Sequence, residues 1–170
     1  MKKLMLVAAM VLGLAGMSFA QTGSIKNGTL SIGTTVLPGL TVSDKHDLAL
    51  GSVVQGQTKD VSPTTAAGGG VQVGEFLVNG DPSHNVIFTF SADANLVSGA
   101  NTILFTQDVP VWNTTESQSG TTAFAGTGGG TVALYSDGNL YIFVGGSVTA
   151  SATQQAGTYS GTYTLQVQYQ

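Results

Sequence analysis

From Gly157 to Gln170 the chain alternates between two kinds of residue with almost no fault. Tyr159, Tyr163, Leu165, Val167 and Tyr169 fall on one side, with Gly157 and Gly161 in phase. Thr158, Ser160, Thr162, Thr164, Gln166, Gln168 and Gln170 fall on the other. A period of two describes a β-strand with one face on a core and one in water. Shorter alternating or apolar runs recur upstream, separated by Gly, Asn, Asp, Pro and Ser, and no window beyond the first twenty residues has helical periodicity. The runs predict strands near Thr29–Val36, Leu40–Ser43, Leu48–Val53, Thr58–Val61, Val71–Val78 and Asn85–Ser91. Others are expected near Thr102–Asp108, Thr131–Ser136, Leu140–Val144 and Thr158–Tyr169. Val86, Phe88 and Phe90 alternate with Ile87 and Thr89, which marks a central strand. Asp137-Gly138-Asn139 predicts a hairpin turn, and Asn79-Gly80-Asp81-Pro82 a second turn. Asn113–Gly130 is the least patterned stretch and reads as a partly disordered loop. The fold expected is an all-β antiparallel sandwich in one domain.

The N-terminus changes the picture of where the chain works. Lys2 and Lys3 precede the apolar run Leu4–Leu14, and small residues stand at Ser18 and Ala20. This is the pattern of a signal peptide over residues 1–20, cleaved between Ala20 and Gln21. The apolar run is too short to span a bilayer comfortably. Beyond it remain three lysines, no arginine and nine carboxylates, so the formal net charge moves from −4 to −6. A chain so poor in cations is not built to neutralise phosphates, which excludes nucleic acid as a partner and disfavours anionic membranes. Cysteine is absent. Stability must therefore come from sheet packing and strand pairing, within the chain or between chains.

Two sets of residues resemble known families. Gly157, fourteen from the end, and Tyr169, next to last, resemble the C-terminal ending of chaperone-usher pilins, in which this strand is gripped by the assembly chaperone. Four further patches resemble an exported bacterial domain family of unknown function. The first is Leu37-Pro38-Gly39-Leu40-Thr41-Val42-Ser43, followed by Asp47-Leu48-Ala49-Leu50-Gly51-Ser52-Val53, where Leu50 replaces the phenylalanine usual in that family. Gly74–Gly80, Val144–Ala150 and Ala156–Tyr163 follow in the family's order. That family is similar to spore-coat-protein-U-like proteins and archaic chaperone-usher pilins. The resemblance implies an Ig-like, pilin-like sandwich over residues 37–170 and a role at the cell surface, with no established activity. The missing cysteines depart from many pilins, whose disulfide staples the first strands.

A filament subunit of this kind needs a spare extended segment. Residues 21–36 offer Ile25, Leu30, Ile32 and Val36 as apolar positions, as a donor strand for another copy or as a first strand paired within the same domain. The C-terminal assembly strand would present Gly157, Tyr159, Tyr163, Leu165, Val167 and Tyr169. Catalytic candidates are sparse. His46 lies between Asp44 and Asp47, and His84 follows Asp81-Pro82-Ser83, without a nucleophile elbow or an oxyanion motif. Asp44, His46 and Asp47 lack the spacing of the strong zinc patterns, and turn chemistry explains Asp137-Gly138-Asn139 better than a calcium loop does. No catalytic, cofactor or metal residue is assigned. Trp112 is a ligand contact if exposed and core if buried, and Tyr135 and Tyr141 are expected at core positions. Asn27-Gly28-Thr29 and Asn113-Thr114-Thr115 match glycosylation sequons by pattern only. The expectation is a non-enzymatic structural subunit, self-associating, met by a periplasmic chaperone and an outer-membrane usher on its way to the surface. The alternative is a secreted monomeric adhesin or carbohydrate-binding module that takes a surface glycan.

Overall fold

The computed structural model describes residues 30–65, 68 and 70–170, and these contain no helix. Twelve strands follow along the described chain. They are β1 (Thr41–His46), β2 (Thr58–Val61), β3 (Gly74–Asn79), β4 (Asn85–Phe90), β5 (Ala94–Ser98) and β6 (Asn101–Gln107), then β7 (Val111–Asn113), β8 (Thr122–Ala123), β9 (Gly129–Ala133), β10 (Asn139–Val144), β11 (Gly146–Thr149) and β12 (Leu165–Tyr169). They form three sheets, in the orders β1-β3-β10-β7-β8, β2-β11-β6-β5 and β12-β4-β9. Every pairing is antiparallel. The fold is an all-β sandwich. Residues 36–170 make one compact unit, and the residues up to 35 fall in a separate one.

The main core follows from alternation on facing strands. Val86, Phe88 and Phe90 of β4 turn inward against Val78 of β3 and Leu140, Ile142 and Val144 of β10, with Phe124 and Leu134 closing the cluster. Burying each such side chain stabilises the fold by roughly 1.5–3 kcal/mol. The next residues along β10 serve the opposite face. Phe143 is buried with Val111, Val61 and Val73, and Tyr141 packs beside them. A third cluster gathers Ile103, Phe105, Val148 and Ala150 in the second sheet. Tyr163 links the first and third clusters. Its ring stacks on Phe90 and stands edge-on to Phe105, and its hydroxyl donates to Gln107 Oε1 at 2.6 Å. Burial, then the charge of Asp93, pushes that phenol far above its usual range.

Strands pass between sheets at sharp bends. β10 runs into β11 through Gly145-Gly146, so one stretch of chain serves the first sheet and then the second. A Cβ on Gly145 would lie on the Val61 carbonyl oxygen, and Gly146 has φ +155°, a conformation that side chains avoid. That close approach is why the Val-Gly-Gly stretch reads as it does. The C-terminal segment joins the other two sheets. Ser160 bridges to Val97 of β5, Ser91 N–H donates to Thr164 O, and Leu165–Tyr169 then pairs with Phe90–Val86 of β4.

Several expectations need correction. Asp137-Gly138-Asn139 makes no hairpin, because β9 belongs to the third sheet and β10 to the first. The turn carries the chain across the core, as does the one at Asn79–Pro82. The two crossings are tied side by side, Gly80 N–H donating to Gly138 O at 3.0 Å and Asn79 Nδ2 to Asn139 Oδ1 at 2.9 Å. Leu48–Val53 forms no strand beyond an isolated bridge from Ala49 to Gln72, although Leu48 and Leu50 still pack against two core clusters. Residues 30–36 carry no strand. Asn113–Gly130 is held by its own side chains. Asn113 Nδ2 donates to Ser117 O and Ser119 O, and its Oδ1 accepts from Thr114 N–H.

Candidate assembly surface

The two ends of each facing sheet define two flanks, and they are finished differently. On one flank lie β1 and β12, each the outermost strand of its sheet. Tyr169 closes the gap between them. Its hydroxyl donates to Pro38 O at 3.0 Å and accepts from Asp81 N–H at 2.7 Å, while His84 stands edge-on to its ring. Leu40 packs into the main core at the same end. The penultimate tyrosine is thus an internal tie between the C-terminal strand, the approach to β1 and the β3–β4 turn.

On the other flank lie β8 and β9, also outermost in their sheets. Between them opens a groove of about 880 Å³, lined by Trp112, Phe124, Val132, Leu134, Tyr135 and a rim that includes Ser83, Thr122 and Ser136. Its floor is core. The Phe124 ring lies 5.4 Å from Phe88 and 5.0 Å from Phe90, centroid to centroid. The edges of β8 and β9 that bound the groove have no ladder partner among the described residues. Unpaired strand edges beside exposed apolar surface are the usual invitation to another strand.

The other sequence candidates take their places around this frame. The C-terminal strand is shorter than its alternation predicts: only Leu165–Tyr169 forms β12, and the stretch before it makes a single bridge at Ser160. The inward positions Tyr159, Tyr163, Leu165, Val167 and Tyr169 are nonetheless half-buried and the residues between them exposed, including the in-phase Gly161. Gly161 sits where a Cβ would meet Leu96 at 2.7 Å. Trp112 is half-buried, packed against the main core while it lines the groove. Tyr141 is half-buried, but Tyr135 is 59% exposed at the groove mouth and is not core. Leu30, Ile32 and Val36 are all close to 90% exposed. Ile25, the Ala20–Gln21 junction and the Asn27 sequon lie outside the described residues. The amide nitrogen of Asn113 is engaged by two carbonyls, which explains that residue without any glycan.

The histidines separate. His84 Nδ1 lies 2.7 Å from Asp81 Oδ2 and 3.2 Å from Pro82 O, a contact made within one tight turn whose Ser83 has φ +64°. His46 does not pair with Asp44 or Asp47. A bulge in the β1–β3 ladder between Asp44 and His46 sets His46 opposite Glu75, with Nε2 4.0 Å from Glu75 Oε2. Glu116, on the 113–121 loop, completes the group: ligand-capable atoms of all three lie within 4.8 Å of one another. Lys45 Nζ lies 3.4 Å from Glu116 Oε1. Glu75 is 6% exposed. Burial, then the nearby Glu116, raises its pKa, and His46 and Lys45 pull the other way. The sequence signal for this cluster is a lone carboxylate inside the apolar run Val73–Val78. The partners, 29 and 41 positions away, could be found only through strand pairing and the loop.

The family model described as "Domain of unknown function (DUF4402)" matches residues 40–169. No curated protein and no solved structure matches the chain.

Proposed function

We propose that this chain, which belongs to the DUF4402 family of domains of unknown function, is a non-enzymatic exported structural subunit that assembles by strand addition at its open flank. The observation that carries this reading is the apolar groove bounded by two unpaired strand edges. The occupant is the Leu30–Val36 segment of a second copy. Leu30, Ile32 and Val36 share one face when that segment is extended, and all three are exposed in the chain that bears them. Seven extended residues reach about 23 Å, against roughly 17 Å for the five residues of β9. Main-chain hydrogen bonds to β9 or β8 would give affinity, and the apolar side chains entering the groove would fix register.

This is a pilin-like assembly in chemical terms. It accords with the signal-peptide pattern, with surface or extracellular placement, and with a chaperone that covers the exposed strand in the periplasm. The rival reading is a monomeric glycan-binding module, supported by Trp112 and Tyr135 lining the same groove.

Because the chain has no cysteine, pairing can be read directly. One copy carries Ile32→Cys and another Ala133→Cys, and the two are mixed and oxidised. Strand addition between chains predicts a mixed disulfide-linked dimer, suppressed by adding a peptide of residues 25–36. If the double variant within one chain closes only on itself and the mixed pair does not link, the segment is intrinsic and the proposal fails.

A further inference from the structure

We infer that His46, Glu75 and Glu116 form a binding site for one first-row divalent cation, with Zn²⁺ as the best-fitting ion. The inference is independent of the assembly proposed above, because the three residues lie away from both β12 and the β8–β9 groove.

Glu75 carries the case. Its side chain is 93% buried, and its Oε1 atom has no hydrogen-bond partner among the described residues. Leaving a carboxylate oxygen buried without a partner costs free energy that a fold ordinarily avoids. Nor is this strand position one that a core demands to be acidic. In the β10 ladder its opposite number is Phe143, and Val73 and Val111 pack in the same cluster as that ring. The carboxylate opens into a cavity of about 550 Å³ whose walls include His46, Glu116, Gln72 and Phe143. It therefore points at two other ligand-capable groups rather than at hydrocarbon alone.

The surrounding structure brings those groups to it. The bulge at Lys45 re-aims the end of β1, so that His46 and not Lys45 stands opposite Glu75. Bulges do this where one side chain must be redirected. Glu116 arrives on a loop pinned at Asn113 and again at Gln118, whose Nε2 donates to Pro63 O at 3.1 Å. Among the described residues, the 4.0 Å approach of His46 to Glu75 and the 3.4 Å pair of Lys45 with Glu116 are the polar contacts within the group.

The donor set selects the ion. One imidazole nitrogen and two carboxylates suit Zn²⁺, Co²⁺ or Mn²⁺, while an all-oxygen shell would suit Ca²⁺ or Mg²⁺. Zinc holds N and O ligands at about 2.0–2.2 Å, which sets tetrahedral ligands roughly 3.4 Å apart. Binding would have to draw the present separations, up to 4.8 Å, in to that spacing. Two carboxylates and a dication balance in charge, and Lys45 remains free to pair with the second oxygen of Glu116. Three protein ligands leave one position for water or for a group from a partner.

The test uses the tag-free chain Gln21–Gln170, dialysed against a chelator and titrated with Zn²⁺ in competition with a chromophoric chelator. Saturation at one ion per chain is expected, with Co²⁺ giving the visible absorption of a site that includes nitrogen. His46→Ala, at a half-exposed position, and Glu75→Gln, which keeps shape and volume, should each weaken binding by more than about tenfold. His84→Ala removes the only other histidine and should leave binding unchanged. Absence of saturable binding, binding indifferent to Glu75→Gln and His46→Ala, equal loss in His84→Ala, or saturation by Ca²⁺ in preference to Zn²⁺ would each overturn the inference.

Discussion

At the β1–β12 flank, Tyr169 bonds Pro38 and Asp81 while Leu40 enters the core, so the gap between the sheets is filled by the chain's own residues. At the β8–β9 flank the same two layers end on short strands with unpaired edges, and Trp112, Phe124 and Leu134 face an open groove. Both flanks bury aromatic surface, and both close on sheet edges. What differs is whether a polar group of the chain spans the gap. Tyr169 does so with one hydroxyl that both gives and accepts. At the other flank Tyr135 stands exposed at the groove mouth, and the groove stays open. A sandwich can therefore be complete at one edge and wait for a strand at the other without any difference in overall composition.

Substitutions can break or sharpen this comparison. The largest effect is expected from Phe124→Ala, which empties the floor of the open groove beside Phe88 and Phe90. Loss of about 3–5 kcal/mol is expected in chemical denaturation. A loss below about 1 kcal/mol would mean that the groove floor is not core. Next comes Tyr169→Phe, which keeps the ring and removes the two hydrogen bonds of the closed flank. It removes the part-buried bond to Asp81 N–H and an exposed one to the Pro38 carbonyl that water can replace, at roughly 0.5–1.5 kcal/mol, with the native mass unchanged. If Tyr169→Phe instead changes the oligomeric state, the closed flank takes part in assembly. Trp112→Ala should cost less than Phe124→Ala, because the indole is only half-buried, yet it should abolish assembly as read by light scattering.

The smallest effect belongs to the crossover turn above both flanks. Asp137 accepts from the backbone and side-chain nitrogens of Asn139, and these bonds lower its pKa below the usual 3.8. A depressed carboxylate stabilises the fold above its unfolded pKa, and that contribution disappears as pH falls through the folded one. Asp137→Ala should lower Tm slightly at pH 7, and the gap from the unaltered chain should close in acid. A gap that stays constant down to pH 2 would show that the carboxylate charge plays no part.

Much of the architecture was legible in the residues, and the remainder fails for identifiable reasons. Period-two runs placed β2 and β4 at their observed positions and the two faces of β12 correctly, although the strand expected from Thr158 begins only at Leu165. β5, β7, β8 and β11 stood in no expected run, and they owe their pairing to neighbouring strands. Asp137-Gly138-Asn139 carries a hairpin's composition, but its flanking strands lie in different sheets and cover one core from opposite sides, so packing overrides the turn preference. Leu48 and Leu50 announce burial correctly and secondary structure wrongly, since a coil can deliver two leucines to a core as well as a strand can. At the candidate surfaces, Trp112 was recognisable as either exposed or core, and it is half-buried, packed against the main core while it lines the groove. The meeting of His46, Glu75 and Glu116 was not legible, because cross-strand register and a loop bring them together.

The central claim is that the open flank takes a strand from another copy, and the native mass of two chains tests it most directly. One is Gln21–Gln170. The other begins at Leu37, which keeps Pro38 for Tyr169 and removes only the proposed donor. The account predicts oligomers for the longer chain and a folded monomer for the shorter, with matching β-sheet spectra. A longer chain that stays monomeric, or a shorter one that assembles equally well, would contradict it.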